Sequence, residues 1–205
     1  FTLPVASYTH YKNGKVNFNF AKKMILFAFL ATLLGRYLAL FMESETLQQI
    51  IAISLILAAV QIAFDFKPNR KNSSTSIFEL IVVSGSIGII TSFVGIGGGI
   101  LLVPYFTYKG LNMHEAIGTS SIMGFSIAVA GATGAFLFNP SEAQELRFVI
   151  GSAYIPAVLV AGLTSMYFAR LGANISANTE SKMLKQAFAI LVIIAALRVF
   201  YITYV

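Results

Sequence analysis

The chain has 205 residues, 57% hydrophobic and 11% charged, with a formal net charge of +6 and no cysteine. A soluble domain carries roughly 25% charged residues, so a soluble class is excluded, as are disulfides, thiolate catalysis and cysteine-ligated metals. The basic residues lie in short loops between apolar runs, which is the pattern of a membrane topology signal and argues against a nucleic-acid partner.

The first apolar stretch, residues 1–7, is too short to span a bilayer. It lacks a basic n-region, so it reads as the stump of a truncated helix and not as a signal peptide. Apolar runs follow at 24–42, 46–66, 77–108, 115–138, 148–169 and 183–204. Spanning about 30 Å of hydrocarbon takes about 20 residues. The run 77–108 is too long for one ordinary span and is broken by Gly95, Gly97, Gly98 and Gly99. It is either one long crossing or two pieces, 77–94 and 100–108, folded back as a hairpin. Loop cations decide between them. A single crossing splits loop Lys and Arg eight against four, whereas a hairpin splits them eleven against one. The positive-inside rule selects the hairpin. In the run 148–169, Pro156 is expected to kink the helix.

Residues 47–61 align with 184–198, and the loops before the two copies carry opposite charge: Glu43 and Glu45 against Arg170, Lys182 and Lys185. Similar helices with reversed flanking charge imply reversed orientation, the mark of secondary transporters. The expected fold is an all-α polytopic membrane protein with inverted-topology repeats and a glycine-broken re-entrant hairpin. Residues 1–66 form an incomplete first repeat, 67–76 a cytoplasmic linker and 77–205 the second repeat. A complete pair of repeats would hold another glycine-rich hairpin before Phe1, so the chain is expected to be a fragment.

A broken membrane helix is tolerated only where its backbone faces protein or a water-filled cavity. The amides after Gly97, Gly98 and Gly99 lack helical partners and carry the positive end of a helix dipole, so they suit an anion. Pro104 lies within the first turns, where its missing N–H matters little. Thr119, Ser120 and Ser121 offer hydroxyl donors near the start of the next helix, although such groups often bond their own helix instead. These residues, Gly95, Gly97, Gly98, Gly99, Pro104, Thr119, Ser120 and Ser121, are the candidate substrate site. Ser120, Gly124, Ala128 and Ala132 form a small-residue stripe suited to helix packing.

Arg36 and Arg198 lie near outer helix ends, where snorkelling is the simpler role. Asp65 and Glu79 lie near inner ends, and Glu79 is a weak candidate for proton coupling. His10 and His114 fall in cytoplasmic loops and form no metal motif. No cofactor, metal or catalytic constellation is expected.

Gly95-x-Gly97-Gly98-Gly99-x-x-x-Val103-Pro104, followed by Gly110 and Ala116-Ile117-Gly118-Thr119-Ser120, resembles the signature of the TauE/SafE family of anion exporters. Residues 8–40 are similar to the middle of such proteins. The resemblance implies a multi-pass permease of the cytoplasmic membrane that exports sulfite, sulfoacetate or related organic sulfur anions. It also implies a transporter rather than an enzyme. The sequence from Phe1 onward shows no first hairpin, which departs from the family pattern, and a two-fold site lacking one would be only half built. The partners expected are a small anion and the lipid bilayer. Proton coupling and a homo-oligomer are compatible with the sequence, and a non-transporting scaffold or assembly subunit is the alternative.

Overall fold

The computed structural model describes residues 2–63, 76–94, 98–138, 148–150 and 153–204. Eight α-helices follow in order: α1 Thr2–Lys12, α2 Phe18–Leu38, α3 Ser44–Ala63, α4 Ile77–Val94, α5 Gly99–Tyr108, α6 Met113–Leu137, α7 Ile155–Asn178 and α8 Ser181–Tyr204. A 3-10 turn at Ala39–Phe41 ends α2, and a two-residue antiparallel pair, β1 Val149–Ile150 with β2 Ala153–Tyr154, precedes α7. The fold is all-α and polytopic. Phe18–Phe41, Met113–Leu137 and Ile155–Asn178 are each long and apolar enough to cross a membrane. Most of the 67–76 linker and Asp65 lie outside the described residues.

Local chemistry fixes the helix starts. Asn17 caps α2 by accepting from the amides of Asn19 and Phe20, at 3.1 and 3.4 Å. Asn112 and Glu115 form a reciprocal capping box at α6, with the Glu115 amide 2.9 Å from Asn112 Oδ1. Such pairing satisfies two orphan amides of a first turn. Pro156 occupies the first turn of α7. The expected kink is therefore absent there: α7 begins at Ile155, where proline's fixed φ and missing N–H suit the opening position. The stump read at 1–7 continues to Lys12, so His10 is helical, and His114 lies in the first turn of α6 rather than in a loop.

Three contacts set the topology. The Asn17 amide donates to Thr119 Oγ1 at 2.9 Å, which brings the start of α2 to the start of α6. Lys109 is ion-paired with Glu79, which ties the end of α5 to the start of α4. His114 Nε2 lies 2.7 Å from the Thr179 carbonyl, and its Nδ1 lies 3.1 Å from Ser181 Oγ, at the α7–α8 turn. Segment 77–108 thus enters and leaves at one end of the bundle as a re-entrant hairpin. Lys12, Lys15, Lys22, Lys23, Lys109, Lys182 and Lys185 gather at that end, which the positive-inside rule makes cytoplasmic. At the opposite end Tyr37 meets Phe138 edge-on, with centroids 5.4 Å apart.

From these anchors α2, α4, α6 and α8 run away from the cytoplasmic end, and α1, α3, α5 and α7 run toward it. The core lies among α2, α4, α5 and α6, where Met24, Leu80, Leu102, Phe106 and Met123 are fully buried. A second apolar cluster joins Leu55 and Ala58 of α3 to Val192 and Ala196 of α8. The small-residue stripe expected on α6 holds only in part. Ser120 and Gly124 are buried but Ala128 and Ala132 are exposed. The face that packs is Ala116, Thr119, Met123, Ile127, Ala130 and Gly134, at the three- and four-residue spacing of one helix side.

Candidate functional site at the hairpin tip

Gly95 and Gly97 lie outside the described residues. Gly98 is the N-cap of α5, with φ +70° and ψ −16°. That is left-handed backbone, which costs a residue with a Cβ roughly 1–2 kcal/mol. A Cβ there would also come within 2.7 Å of Ile127 Cδ1. The carbonyl of Gly98 accepts from the amides of Leu101 and Leu102, at 3.2 and 2.9 Å. The amides of Gly99 and Ile100 stand ahead of them in the first turn, where an α-helix supplies no acceptor.

Gly98 helps to line a pocket among α3, α4 and α5. Its other walls are Ile51, Ser54, Leu55, Thr91, Ile100 and Leu101, and its cavity volume is small, about 10 Å³, room for about one water molecule. Thr91 Oγ donates to the Ile87 carbonyl at 2.7 Å, and Ser54 Oγ to the Ile50 carbonyl at 2.7 Å. Each hydroxyl therefore rests its proton on its own helix, and by rotating it can donate into the pocket instead. The pocket brings apolar walls, two hydroxyl-bearing residues and a helix N-terminus to one place, and in this conformation its space is smaller than an oxyanion.

Sequence reasoning found Gly98 and Gly99 but missed Ser54 and Thr91. The available signal was position, since Ser54 is a polar residue deep in an apolar run, and Thr91, beside Ser92, stands one turn before the glycine break. Pro104 is the sixth residue of α5 and is fully enclosed in the core. It lies beyond the orphan amides and has no N–H for the Ile100 carbonyl.

The other expected residues are placed elsewhere. Ile127, which touches Gly98, is eight residues along α6 from Thr119, or about 12 Å at 1.5 Å per residue. Thr119 is buried and accepts from the Asn17 amide. Ser120 and Ser121 both donate to the Ile117 carbonyl, at 2.8 and 3.0 Å, and the Ser121 carbonyl accepts from Ser7 Oγ at 2.8 Å. A Cβ on neighbouring Gly118 would overlap the Lys15 carbonyl. This cluster fastens α1 and the 13–17 loop onto α6, and the structure does not bring it to the hairpin tip.

Two further ionisable groups lie at the cytoplasmic end. The side chain of Lys109 is only 11% exposed, and its ammonium lies 5.9 Å from the Tyr105 ring centroid. His10 is buried, and its Nδ1 has no hydrogen-bond partner. Burial, and secondarily the nearby His114, hold its pKa below the ordinary histidine value. Arg36 lays its stem across Gly134 of α6, where a Cβ would come within 2.9 Å of Arg36 Cγ.

Comparison with known proteins agrees with this architecture. A probable membrane transporter protein of Haemophilus influenzae is 29% identical over 161 residues, covering 78% of this chain and 61% of that protein. A probable membrane transporter protein of Methanocaldococcus jannaschii is 24% identical over 146 residues, covering 71% of this chain and 54% of that protein. The probable membrane transporter protein MamO of Paramagnetospirillum magneticum is 29% identical over 107 residues, covering 50% of this chain and 16% of that protein. The chain thus spans less than two thirds of the length of these relatives. No solved structure matches it. A family model described as sulfite exporter TauE/SafE matches residues 1–199, and the chain belongs to that family.

Proposed function

We propose that this chain forms part of a permease of the cell membrane that exports a small anion, sulfite or an organosulfonate, by alternating access. The observation that carries this reading is the hairpin tip, where Gly98 and Ile100, at the N-terminus of α5, border one pocket together with Thr91 and Ser54. Sulfite and sulfonate oxygens accept several hydrogen bonds at once, which suits a site built from backbone amides at a helix N-terminus. Binding without a fixed cation also favours release, since a buried ion pair would hold the anion at the midplane.

In outline, the anion enters from the cytoplasm, displaces water at the tip and takes two amide hydrogen bonds. The hydroxyls of Thr91 and Ser54 turn from their helix carbonyls to complete its shell. The helices around the hairpin then rock to open the opposite end.

The test is anion flux in proteoliposomes, comparing sulfite, sulfoacetate, sulfate and chloride with and without a pH gradient. The expected result is flux of one sulfur anion, lost in Gly98→Val while the variant still elutes as folded protein. Gly98→Val flux equal to that of the native chain would remove the hairpin tip as the site. Absence of flux for every anion, together with no anion-dependent rise in melting temperature, would favour the scaffold reading instead.

A further inference from the structure

The pocket at the hairpin tip has room for about one water molecule, so an anion reaches it only once a seam around it opens. The seams are unequal. α4 is seated closely on α2, where a Cβ on Gly88 would come within 2.7 Å of the Ala28 carbonyl oxygen and one on Gly35 within 2.8 Å of the Ile89 Cα. α5 is seated on α6, and α3 on α8. The two arms of the hairpin, α4 and α5, touch each other little, and their apolar side chains meet in a core that α2 and α6 complete. At the cytoplasmic end the arms are joined by the ion pair of Glu79, in the first turn of α4, with Lys109, the C-cap of α5.

Lys109 is the one basic residue among the described residues of the hairpin. Its side chain is mostly enclosed, and Glu79 is the more exposed partner. The ammonium lies 5.9 Å from the Tyr105 ring centroid and 6.0 Å from that of Tyr108. Ring faces at that range steady a cation but leave its N–H donors to the carboxylate. Tyr105 faces the same carboxylate. Leu101, Tyr105 and Lys109 follow at four-residue spacing and so share one side of α5, and Leu101 is a wall of the pocket. One side of α5 therefore leads from the pocket, past Tyr105, to a lysine at the cytoplasmic end.

We propose that Lys109 is the cytoplasmic docking residue for the anion and that Glu79 is the lock it opens; this rests on the reading of the hairpin tip as the anion site. An arriving oxyanion and the Glu79 carboxylate are both acceptors that compete for the same ammonium donors. Glu79, the more exposed of the pair, turns out to water when the anion takes its place. The charge that tied α4 to α5 is then gone, and the arms part along the Leu101 and Tyr105 side of α5. The hold at Lys109 is brief, because it caps the carbonyl end of α5, where the helix dipole favours cations and disfavours anions. The amide end of the same helix has the opposite polarity. Over the 10 residues of α5, about 15 Å, an anion thus moves down the dipole from Lys109 to Gly98.

Because the sequence has no cysteine, Leu101→Cys reports whether the mouth is open. In inside-out membrane vesicles the label is a trimethylammonium methanethiosulfonate, which does not cross the bilayer, and the probe anion is sulfoacetate. Labelling should be slow in the Leu101→Cys chain and several-fold faster once sulfoacetate is added. It should be fast with or without the anion when Glu79→Gln or Lys109→Gln is combined with Leu101→Cys. Flux of the cysteine-free chain separates docking from closure. Lys109→Gln should raise the KM for sulfite or sulfoacetate, whichever the native chain carries, by about tenfold, the loss of one charge-assisted contact. Lys109→Arg should restore it, and Glu79→Gln should lower it. Labelling as slow in the folded Glu79→Gln and Lys109→Gln variants as with the pair intact would overturn the proposal, as would a KM indifferent to Lys109→Gln. Labelling reads the mouth whether or not the tip binds the anion, and flux of Gly98→Val reads the tip, so the two readings fail separately. Gel-filtration profiles establish that each variant is folded before it is scored.

Discussion

Among the described glycines, Gly118 is the one where an added Cβ would fall nearest to another atom, and it gives a sharp stability test. In Gly118→Ala the new methyl would overlap the Lys15 carbonyl oxygen, lie 2.8 Å from its carbon and lie 3.4 Å from His10 Cβ. The neighbours are backbone, so the 13–17 loop must withdraw by an ångström or more. Withdrawal strains the Asn17 amide bond to Thr119 Oγ1, now 2.9 Å, and the Lys15 amide bond to the His10 carbonyl, now 3.0 Å. Overpacking costs about 1–3 kcal/mol, and weakening one hydrogen bond adds about 1 kcal/mol. Replacing a helical glycine by alanine returns about 1 kcal/mol, so the net loss is about 1–3 kcal/mol. Gly131→Ala on the same helix meets nothing within 4 Å and should show only the gain, up to about 1 kcal/mol. At about 2–4 °C per kcal/mol for a chain of this size, the two variants should melt on the order of 5–15 °C apart. Fluorescence-detected gel filtration after heating in detergent measures this. A Gly118→Ala protein as stable as Gly131→Ala would mean that the 13–17 loop does not rest on α6.

Thr119→Val should lower the melting temperature by several degrees, because the half-buried Asn17 amide loses its acceptor and an unsatisfied group costs about 1–3 kcal/mol; flux per folded molecule should be unchanged. Thr91→Val keeps the shape of its side chain and should raise the KM for the transported anion with little effect on melting. Glu79→Gln should destabilise more than Lys109→Gln, because the lysine left behind is 11% exposed whereas the glutamate is 38% exposed and can hydrate. His10 has a lowered pKa, so the unfolded chain takes up its proton before the folded one. Stability should therefore be full above about pH 6.5 and fall as pH drops through that value, and thermal melts of His10→Phe should be flatter between pH 7 and 5.

Much of the fold was legible in the sequence. Apolar run length marked the spans, and loop cations chose the hairpin that the Glu79–Lys109 ion pair closes. What failed was local. Pro156 reads as a kink if the run is taken to start at 148, but the run's first residues form a strand pair that apolarity alone cannot distinguish from a helix. The candidate site was legible where a residue type has one use in a membrane, as for glycine at a break. It was illegible where the type has several uses. Thr119 and Thr91 are both threonines in apolar helices, and only the fold shows that one fastens a loop while the other borders the pocket.

The likeness of residues 47–61 to residues 184–198, read as the repeat that the sequence suggests, also bears on how the proposed substrate would be held. In an inverted repeat, each element of one half-site has a counterpart facing it from the opposite side of the membrane. Ser54, Leu55 and Ile51 border the pocket from α3, and their equivalents on α8 are Leu191, Val192 and Phe188. The one polar wall residue of α3 thus has an apolar mate. Under the proposed function, the two halves are unequal, and the anion has its firmer hold at Thr91 and Ser54. An exporter needs that asymmetry if substrate is to be taken up at cytoplasmic concentrations and released outside. Leu191→Ser should therefore slow release at saturating substrate while leaving initial uptake intact, and efflux from loaded vesicles would show the change as a lower turnover with a KM lowered in proportion.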